Sequence, residues 1–215
     1  MSQNVNLADF GFVRAAAVAP VLALGDPATN AQRIVGHLHQ LKEQGAGIAL
    51  FPELCLTGYT CEDLFFSSGL HHAVRRALMT IAEATNQIAA VVGAPWRGPD
   101  GRLFNAAVVL ADGRIRGIVP KQVQPNYGEF YECRWFASGA GVDQAVDDPD
   151  FGRFRIACNQ LFRAGRIRFA IEICEDLWSP HPPGMDHCLA GAELILNPSA
   201  SPEHVAKADF RRSLV

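Results

Sequence analysis

Residues 167–178 read IRFAIEICEDLW, a largely apolar run that ends in a cysteine followed by two acids. A short apolar run of this length is typical of a buried strand. We therefore predict a strand over Ile167–Ile173, with Cys174 directly after its carboxyl end. In α/β proteins the carboxyl ends of the strands line the ligand-binding crevice. This position makes Cys174 the first candidate for a reactive side chain.

Two other polar residues follow predicted strands in the same way. Glu53 comes just after the apolar run Ile48–Phe51, and Lys121 comes just after Ile115–Val119. Because ligand-binding groups collect at the carboxyl ends of strands, we expect these side chains and the cysteine to converge, although they are far apart along the chain.

The three residue types suit acyl transfer without a metal or an organic cofactor. A cysteine attacks a carbonyl carbon as the thiolate, and a nearby carboxylate can remove the thiol proton as a general base. An ammonium group can stabilise the oxyanion that forms on attack. Each residue alone also has a structural interpretation: Cys174 as core packing, Glu53 as the start of a helix and Lys121 as a solvated side chain. Spacing along the chain does not show that the three meet.

The rest of the chain alternates helical and strand patterns, which predicts an α/β fold with a mixed sheet in one domain over residues 1–215. Asp26 followed by Pro27 predicts the start of the first helix. We expect the strand Phe154–Ala157 to pair with Ile167–Ile173. The other predicted elements are strands at Phe12–Ala19, Ile88–Ala94, Asn105–Leu110 and Leu194–Leu196, and helices at Leu70–Gln87 and from Pro202 onward.

Composition excludes several classes of protein. Of the 215 residues, 49% are hydrophobic and 19% are charged, and the net charge is −3. Without a lysine or arginine run, no nucleic-acid partner is expected. The six cysteines and seven histidines lack metal-site spacing, so we expect reduced thiols, a cytoplasmic location and no metal. The apolar segment Val13–Leu24 is too short to cross a bilayer, and we interpret it as a buried strand with no membrane partner.

Four motifs, in this order along the chain, resemble those of the nitrilase, or carbon–nitrogen hydrolase, superfamily. They read FPEL with TGY and EDL at 51–64, PK with NYG and RWF at 120–136, IEICEDLW at 171–178, and NPSASP at 197–202. The TGY and EDL parts are similar to the subgroup that is fused to NAD+ synthetase. Together the motifs cover nearly the whole chain, which makes the resemblance specific.

The resemblance implies a four-layer αββα sandwich and a role for each candidate residue. It implies Glu53 as general base, Lys121 as the group that stabilises the oxyanion, and Cys174 as nucleophile. Glu132 matches a second family glutamate that positions the lysine and the substrate. Five more residues match positions near the substrate pocket, although simple packing explains them equally well: Tyr59, Tyr127, Phe130, Ser199 and Ser201.

The resemblance also implies that L-glutamine is split to glutamate and ammonia, without a cofactor for this step. In the family the ammonia passes to a synthetase domain, which is where ATP and magnesium are expected. We expect this chain to lack that domain and the C-terminal part of the amidase domain, and the complete protein to form homo-oligomers. Two alternatives remain open: an amidase for another small amide, and an inactive fragment that serves only in assembly.

Overall fold

The computed structural model describes residues 10–214, in which helices and strands alternate. The helices are α1 (Pro27–Glu43), α2 (Ser68–Glu83), α3 (Pro183–Leu189) and α4 (Lys207–Leu214). The strands are β1 (Ala15–Ala17), β2 (Ile48–Leu50), β3 (Ala89–Arg97), β4 (Leu103–Ala111), β5 (Arg114–Pro120), β6 (Asp143–Asp148), β7 (Gly152–Ala157), β8 (Phe162–Ala164), β9 (Ile167–Ile171) and β10 (Leu194–Leu196). None of these helices is long and apolar enough to cross a bilayer.

Within the described residues the strands form two sheets. One has seven strands in the order β1-β2-β3-β4-β5-β7-β6, and the other has three in the order β10-β9-β8. β1, β2 and β3 are parallel, β4 runs antiparallel between β3 and β5, and β9 is parallel to β10. β2 and β5 therefore point the same way, and their carboxyl ends lie at the same edge of the larger sheet.

The side chains on the two faces of the larger sheet pack in different hydrophobic cores, because successive side chains of a strand point to opposite faces. On one face Val92 of β3 shares an apolar cluster with Leu78 of α2. On the other face Val91 shares a cluster with Phe169 of the smaller sheet. Glu172, just past β9, accepts a hydrogen bond from α3, which covers the outside of the smaller sheet. The layers therefore run helix, sheet, sheet, helix, and the predicted αββα sandwich is confirmed.

The start of α1 confirms the signal in the sequence. The Asp26 carboxylate accepts a hydrogen bond from the backbone N–H of Thr29 at 3.1 Å, and Pro27 occupies the first helical position. After the helix, Gly45 has a φ of +75°, a conformation that glycine adopts without a Cβ clash. The chain can therefore turn directly into β2.

The predicted pairing of Phe154–Ala157 with Ile167–Ile173 is wrong. β7, which contains the first segment, pairs with β5 and β6 in the larger sheet, whereas β9 pairs with β8 and β10 in the smaller sheet. β6 is a strand that the sequence did not predict, because three of its six residues are aspartates. A tight turn at Gly165, with a φ of +61°, lets the chain return at once from β8 to β9.

Several element boundaries also differ from the prediction, among them those of β1, α2 and α4. β1 covers only Ala15–Ala17 and is partly exposed at the sheet edge, rather than buried over Phe12–Ala19. α2 ends at Glu83, because the Thr85 hydroxyl donates to the carbonyl of a residue in the last turn and the chain leaves the helical path. α4 begins at Lys207, five residues later than predicted, because residues 201–204 have no regular structure.

Candidate active site

Glu53 is placed by a tight turn at the carboxyl end of β2. The turn crosses directly over Gly93 of β3, where an added Cβ would lie 2.3 Å from the Pro52 carbonyl oxygen and 2.3 Å from the Leu54 nitrogen. Leu54 has a φ of +50°, and the Leu56 N–H donates to the Gly93 carbonyl at 3.1 Å. Gly93 therefore allows the turn to approach the sheet closely and point the Glu53 carboxylate, which is buried, into the site.

Lys121 follows the carboxyl end of β5 and is fully buried. Its Nζ lies 2.6 Å from Oε1 of Glu53 and 2.6 Å from Oε1 of Glu132. The Lys121 backbone N–H donates to the carbonyl of Asn105 in β4 at 2.8 Å, which extends the sheet ladder to this residue. One ammonium group thus bridges two buried carboxylates that are 79 residues apart in sequence (132 − 53).

Two neutral side chains complete the hydrogen bonding of these carboxylates. The Asn105 Nδ2 donates to Oε1 of Glu53 at 2.7 Å and to Oε2 of Glu132 at 3.2 Å. The Tyr59 hydroxyl donates to Oε1 of Glu132 at 2.5 Å. Donors therefore surround both carboxylates, as buried charged groups require.

Cys174 enters the site from the smaller sheet. It begins a 3₁₀ turn over Cys174–Trp178, has a φ of +47°, and is 8% exposed. Its backbone N–H donates to the Pro198 carbonyl at 3.1 Å. In the loop that follows Pro198, the Ala200 N–H donates to Oε2 of Glu53 at 2.9 Å. The Glu53 carboxylate therefore joins the lysine on one sheet to the cysteine region on the other.

The electrostatics favour a resting thiol beside a charged ion pair. Burial and the Glu53 carboxylate raise the pKa of the Cys174 thiol to about 12, although the Lys121 ammonium acts in the opposite direction. Burial disfavours the Lys121 ammonium, but the Glu53 and Glu132 carboxylates outweigh burial and raise its pKa above the usual value. A thiol needs a proton acceptor before it can attack a carbonyl carbon, and the Glu53 carboxylate lies close enough to this thiol to raise its pKa.

An aromatic row extends from this buried centre towards solvent. Tyr59 packs edge-to-face on Phe130, with ring centroids 6.3 Å apart, and Phe130 packs on Tyr127 at 5.8 Å. The Tyr127 hydroxyl donates a hydrogen bond at 2.9 Å to the carboxylate of Glu175, the residue that follows Cys174 in sequence. The row therefore forms one wall between the reactive residues and the surface.

Ser199 and Ser201 flank Ala200, but their hydroxyl groups bond to local partners. The Ser199 hydroxyl is exposed and donates to Asn197 at 2.6 Å. The Ser201 hydroxyl accepts a hydrogen bond from Lys207 Nζ at 2.6 Å. The structure thus places these two serines beside the site while their side chains stay outside the hydrogen-bonded centre. Over residues 10–214, no group of three or more His, Cys, Asp or Glu side chains is arranged to hold a metal ion.

A separate cleft of about 830 Å³ lies at the other end of the sheets. Residues that line it include Gly47, Ala89 and Ile167, at or just before the first residues of β2, β3 and β9. Glu53, Lys121 and Cys174 do not line it. The chemistry of the side chains, rather than the size of an opening, therefore identifies the candidate site.

Comparison with known proteins assigns the family. The family model described as carbon–nitrogen hydrolase matches residues 14–215, which is almost the whole chain. The chain belongs to the carbon–nitrogen hydrolase family.

Relatives of this carbon–nitrogen hydrolase include longer enzymes. The glutamine-dependent NAD(+) synthetase of Mycobacterium tuberculosis is 38% identical over an alignment of 213 residues, and the match covers 95% of this chain and 30% of that protein. The enzyme of the same name from Xylella fastidiosa is 36% identical over 205 residues, covering 95% of this chain and 34% of that protein. The chain thus spans about a third of the length of these relatives.

Solved structures share the fold of this carbon–nitrogen hydrolase. A glutamine-dependent NAD(+) synthetase from Cytophaga hutchinsonii aligns with a TM-score of 0.83 and 29% identity, over 94% of this chain and 33% of that one. An amidase from Nesterenkonia aligns with a TM-score of 0.70 and 23% identity, over 91% of this chain and 68% of that one. The amidase comparison shows the fold alone.

The sequence did not single out one residue at the centre of this carbon–nitrogen hydrolase site. Asn105 occupies an otherwise apolar stretch of β4 and is 1% exposed, yet it bonds to both buried carboxylates. A lone amide inside the apolar run LFNAAVVL was the available signal, because a buried polar side chain needs partners. Its Oδ1 has no hydrogen-bond partner among the described residues.

Proposed function

We propose that this chain hydrolyses the side-chain amide of L-glutamine through a thioester on Cys174. This proposal rests on the contacts of the Glu53 carboxylate. It lies 2.6 Å from the Lys121 ammonium, and it accepts a hydrogen bond from the N–H of Ala200, which lies beside the cysteine turn. These contacts support a mechanism in which a general base, a cation and a nucleophile act together across two sheets. The names of the similar NAD(+) synthetases support glutamine as the amide.

The first half of the reaction forms the thioester. Glu53 takes the thiol proton as the Cys174 sulfur attacks the amide carbon, and the carbonyl electrons move to the oxygen. Lys121 faces the developing oxyanion, and its charge becomes less compensated once the Glu53 carboxylate is neutralised. The oxyanion then collapses, and the C–N bond breaks. The proton held by Glu53 goes to the leaving nitrogen, which departs as ammonia.

The second half releases glutamate. Glu53 removes a proton from a water molecule, which attacks the thioester carbon, and Lys121 again stabilises the oxyanion. The C–S bond breaks, the sulfur recovers the proton from Glu53, and no external oxidant or metal is needed. In this scheme Glu132 positions Lys121 through their 2.6 Å contact. Tyr59, Tyr127, Phe130, Ser199 and Ser201 bound the space that the substrate enters.

In the complete protein, we propose that the ammonia serves a synthetase domain that uses ATP and magnesium. This proposal extends the printed names of the relatives, which are about three times as long as this chain. A cytoplasmic location and homo-oligomer formation belong to the same proposal. Residues 1–215 then act as a glutamine amidohydrolase domain.

The test measures ammonia release from L-glutamine, L-asparagine and simple aliphatic amides by the parent protein and by the Cys174→Ala variant. Cys188→Ala is the matched control, because Cys188 is an exposed cysteine on α3. We expect release from glutamine that Cys174→Ala abolishes and Cys188→Ala leaves unchanged. A diazo-ketone analogue of glutamine should label Cys174, as located by mass spectrometry of peptides.

Other outcomes separate the alternatives. Turnover of a simple amide in preference to glutamine, still lost in Cys174→Ala, would indicate an amidase for another substrate. Equal ammonia release by the parent and by Cys174→Ala would contradict the proposed nucleophile. It would instead support a role in assembly.

A further inference from the structure

One buried carboxylate outside the reacting group ties the cysteine turn to the lysine segment. Asp176 lies two residues after Cys174 and is 1% exposed. Its Oδ2 accepts from the Ile173 N–H at 2.9 Å, and its Oδ1 accepts from the N–H groups of Gln122 at 3.0 Å and Val123 at 2.8 Å. The carboxylate therefore joins the residue before Cys174 to the two residues that follow Lys121.

This connection spans the two sheets. Lys121 continues β5 of the larger sheet, whereas Cys174 follows β9 of the smaller sheet. Between the sheets, apolar side chains such as Val119 and Ile171 make the contact. Apolar contacts are not directional, so they do not fix how far one sheet slides along the other. Three hydrogen bonds to one carboxylate are directional, and they fix that displacement next to the reactive residues.

From this geometry we propose that Asp176 is a positioning residue for glutamine hydrolysis, holding Cys174 in register with Lys121 across the sheet interface. This inference rests on the proposed function. Asp176 acts through the backbone and does not touch the reacting atoms. Burial raises the pKa of its carboxyl to about 6, while the three backbone N–H groups and Lys121 act against burial and favour the carboxylate.

Glu172 supplies a matched control on the same segment. It is also a buried carboxylate, 4% exposed, and it lies two residues before Cys174. Its Oε2 accepts from the Gly184 N–H of α3 at 2.8 Å. Glu172 therefore anchors the outer helix and has no bond to the lysine segment. Replacing it perturbs packing on the same segment without releasing the link between the two sheets.

The experiment compares Asp176→Asn with Glu172→Gln in steady-state glutamine hydrolysis. An amide has one acceptor oxygen, so Asp176→Asn cannot keep both the Ile173 bond and the bonds to the lysine segment. We expect kcat to fall by about 100-fold in Asp176→Asn, since a misplacement of about 1 Å costs that much, with KM changed by less than about threefold. Glu172→Gln should keep kcat within about threefold of the parent value.

A second variant keeps the inference testable where Asp176→Asn does not fold. Val123→Pro removes one of the three donors at an exposed loop position, because proline has no N–H. We expect kcat to fall by about tenfold, with KM within about threefold. The rate of Cys174 alkylation by iodoacetamide, measured by peptide mass spectrometry, adds a readout that does not require turnover. We expect slower alkylation in both Asp176→Asn and Val123→Pro, because the thiolate loses the support of Lys121.

The outcomes are distinct. Equal losses of kcat in Asp176→Asn and Glu172→Gln would show a general effect on stability and overturn the inference. Unchanged kcat in a folded Asp176→Asn, or in Val123→Pro, would also overturn it. If the parent protein releases no ammonia, the proposed function fails, and alkylation alone decides the role of Asp176. In that case slower alkylation in both link variants but not in Glu172→Gln supports the inference, and any other pattern refutes it.

Discussion

Replacing Lys121 with methionine removes the ammonium group from between two buried carboxylates. The Lys121 and Glu53 side chains are 0% exposed and the Glu132 side chain is 2% exposed, so water cannot take the place of the ammonium. Both carboxylate oxygens lie 2.6 Å from Nζ. At about 5 Å and an effective dielectric constant of about 20, two such charges repel by about 3 kcal/mol. Loss of one partner from a buried ion pair costs about 3–5 kcal/mol.

The cost should depend on pH, because a carboxyl group can take up a proton to relieve the repulsion. Burial already raises the pKa of the Glu132 carboxyl above its ordinary value of 4.5, and loss of the Lys121 ammonium, which lowers that pKa, raises it further. The protonated form is favoured on folding, so the loss of stability is complete well above that pKa and shrinks as pH falls towards it. We expect Lys121→Met to lose about 4 kcal/mol of unfolding free energy at pH 7.5 and a smaller amount at pH 5.5, because a protonated carboxyl group no longer repels its neighbour.

Urea denaturation of the parent and Lys121→Met at the two pH values gives this difference. The double variant Lys121→Met with Glu132→Gln should recover most of the loss, because one of the two charges is gone. Arg134→Met is the control, since Arg134 pairs with Asp63 at the surface, and it should change stability little at either pH. A loss below about 1 kcal/mol, or a loss that is the same at both pH values, would refute the argument.

Three further predictions concern the residues around this pair. Gly93→Ala should lower the free energy of unfolding by about 2–3 kcal/mol in urea denaturation, because its Cβ would lie 2.3 Å from the Pro52 carbonyl oxygen. Gly36→Ala is the control and should cause no loss of stability, because nothing lies within 4 Å of its added Cβ. Equal effects of the two substitutions would contradict the clash at Gly93. Tyr59→Phe should lower the free energy of unfolding by about 2 kcal/mol, because the buried Glu132 carboxylate loses the hydroxyl that donates to it at 2.5 Å. An unchanged denaturation midpoint would count against that hydrogen bond. The pKa of Asp176 is about 6 in the folded protein against an ordinary 3.8, so folding favours its protonated form. The parent should gain about 2 kcal/mol relative to Asp176→Asn as pH falls from 7 to 4, and a constant difference would refute this shift.

The helices and most strands were predictable because their signals are local. Asp26 and Pro27 begin α1 through a cap that involves neighbours three residues apart. The turn at Asp112 and Gly113, an Asp-Gly pair that is typical of hairpins, likewise joins β4 to β5. The strand β6 escaped prediction, because three aspartates interrupt its apolar pattern, and only pairing with β7 makes it a strand.

Partners across the fold were not predictable in the same way. β7 lies between β5 and β6 in the larger sheet, and its pairing with β5 joins segments that are distant in sequence, so no local pattern carries that information. The partners of Asn105 were likewise not predictable, because it bonds to the carboxylates of Glu53 and Glu132, which are 52 and 27 residues away in sequence. Its position in β4 was predicted, but its partners were not.

The sequence by itself determined the candidate residue types, their places after predicted strands and, through the motifs, the family resemblance. Strand ends and residue chemistry are encoded within a few neighbouring positions, so they can be read without knowing the fold. Only the tertiary structure decided that Lys121 lies between Glu53 and Glu132, and that Asp176 joins the two sheets. Those contacts exist because two separately hydrogen-bonded sheets pack face to face, and their relative position is set by the whole core.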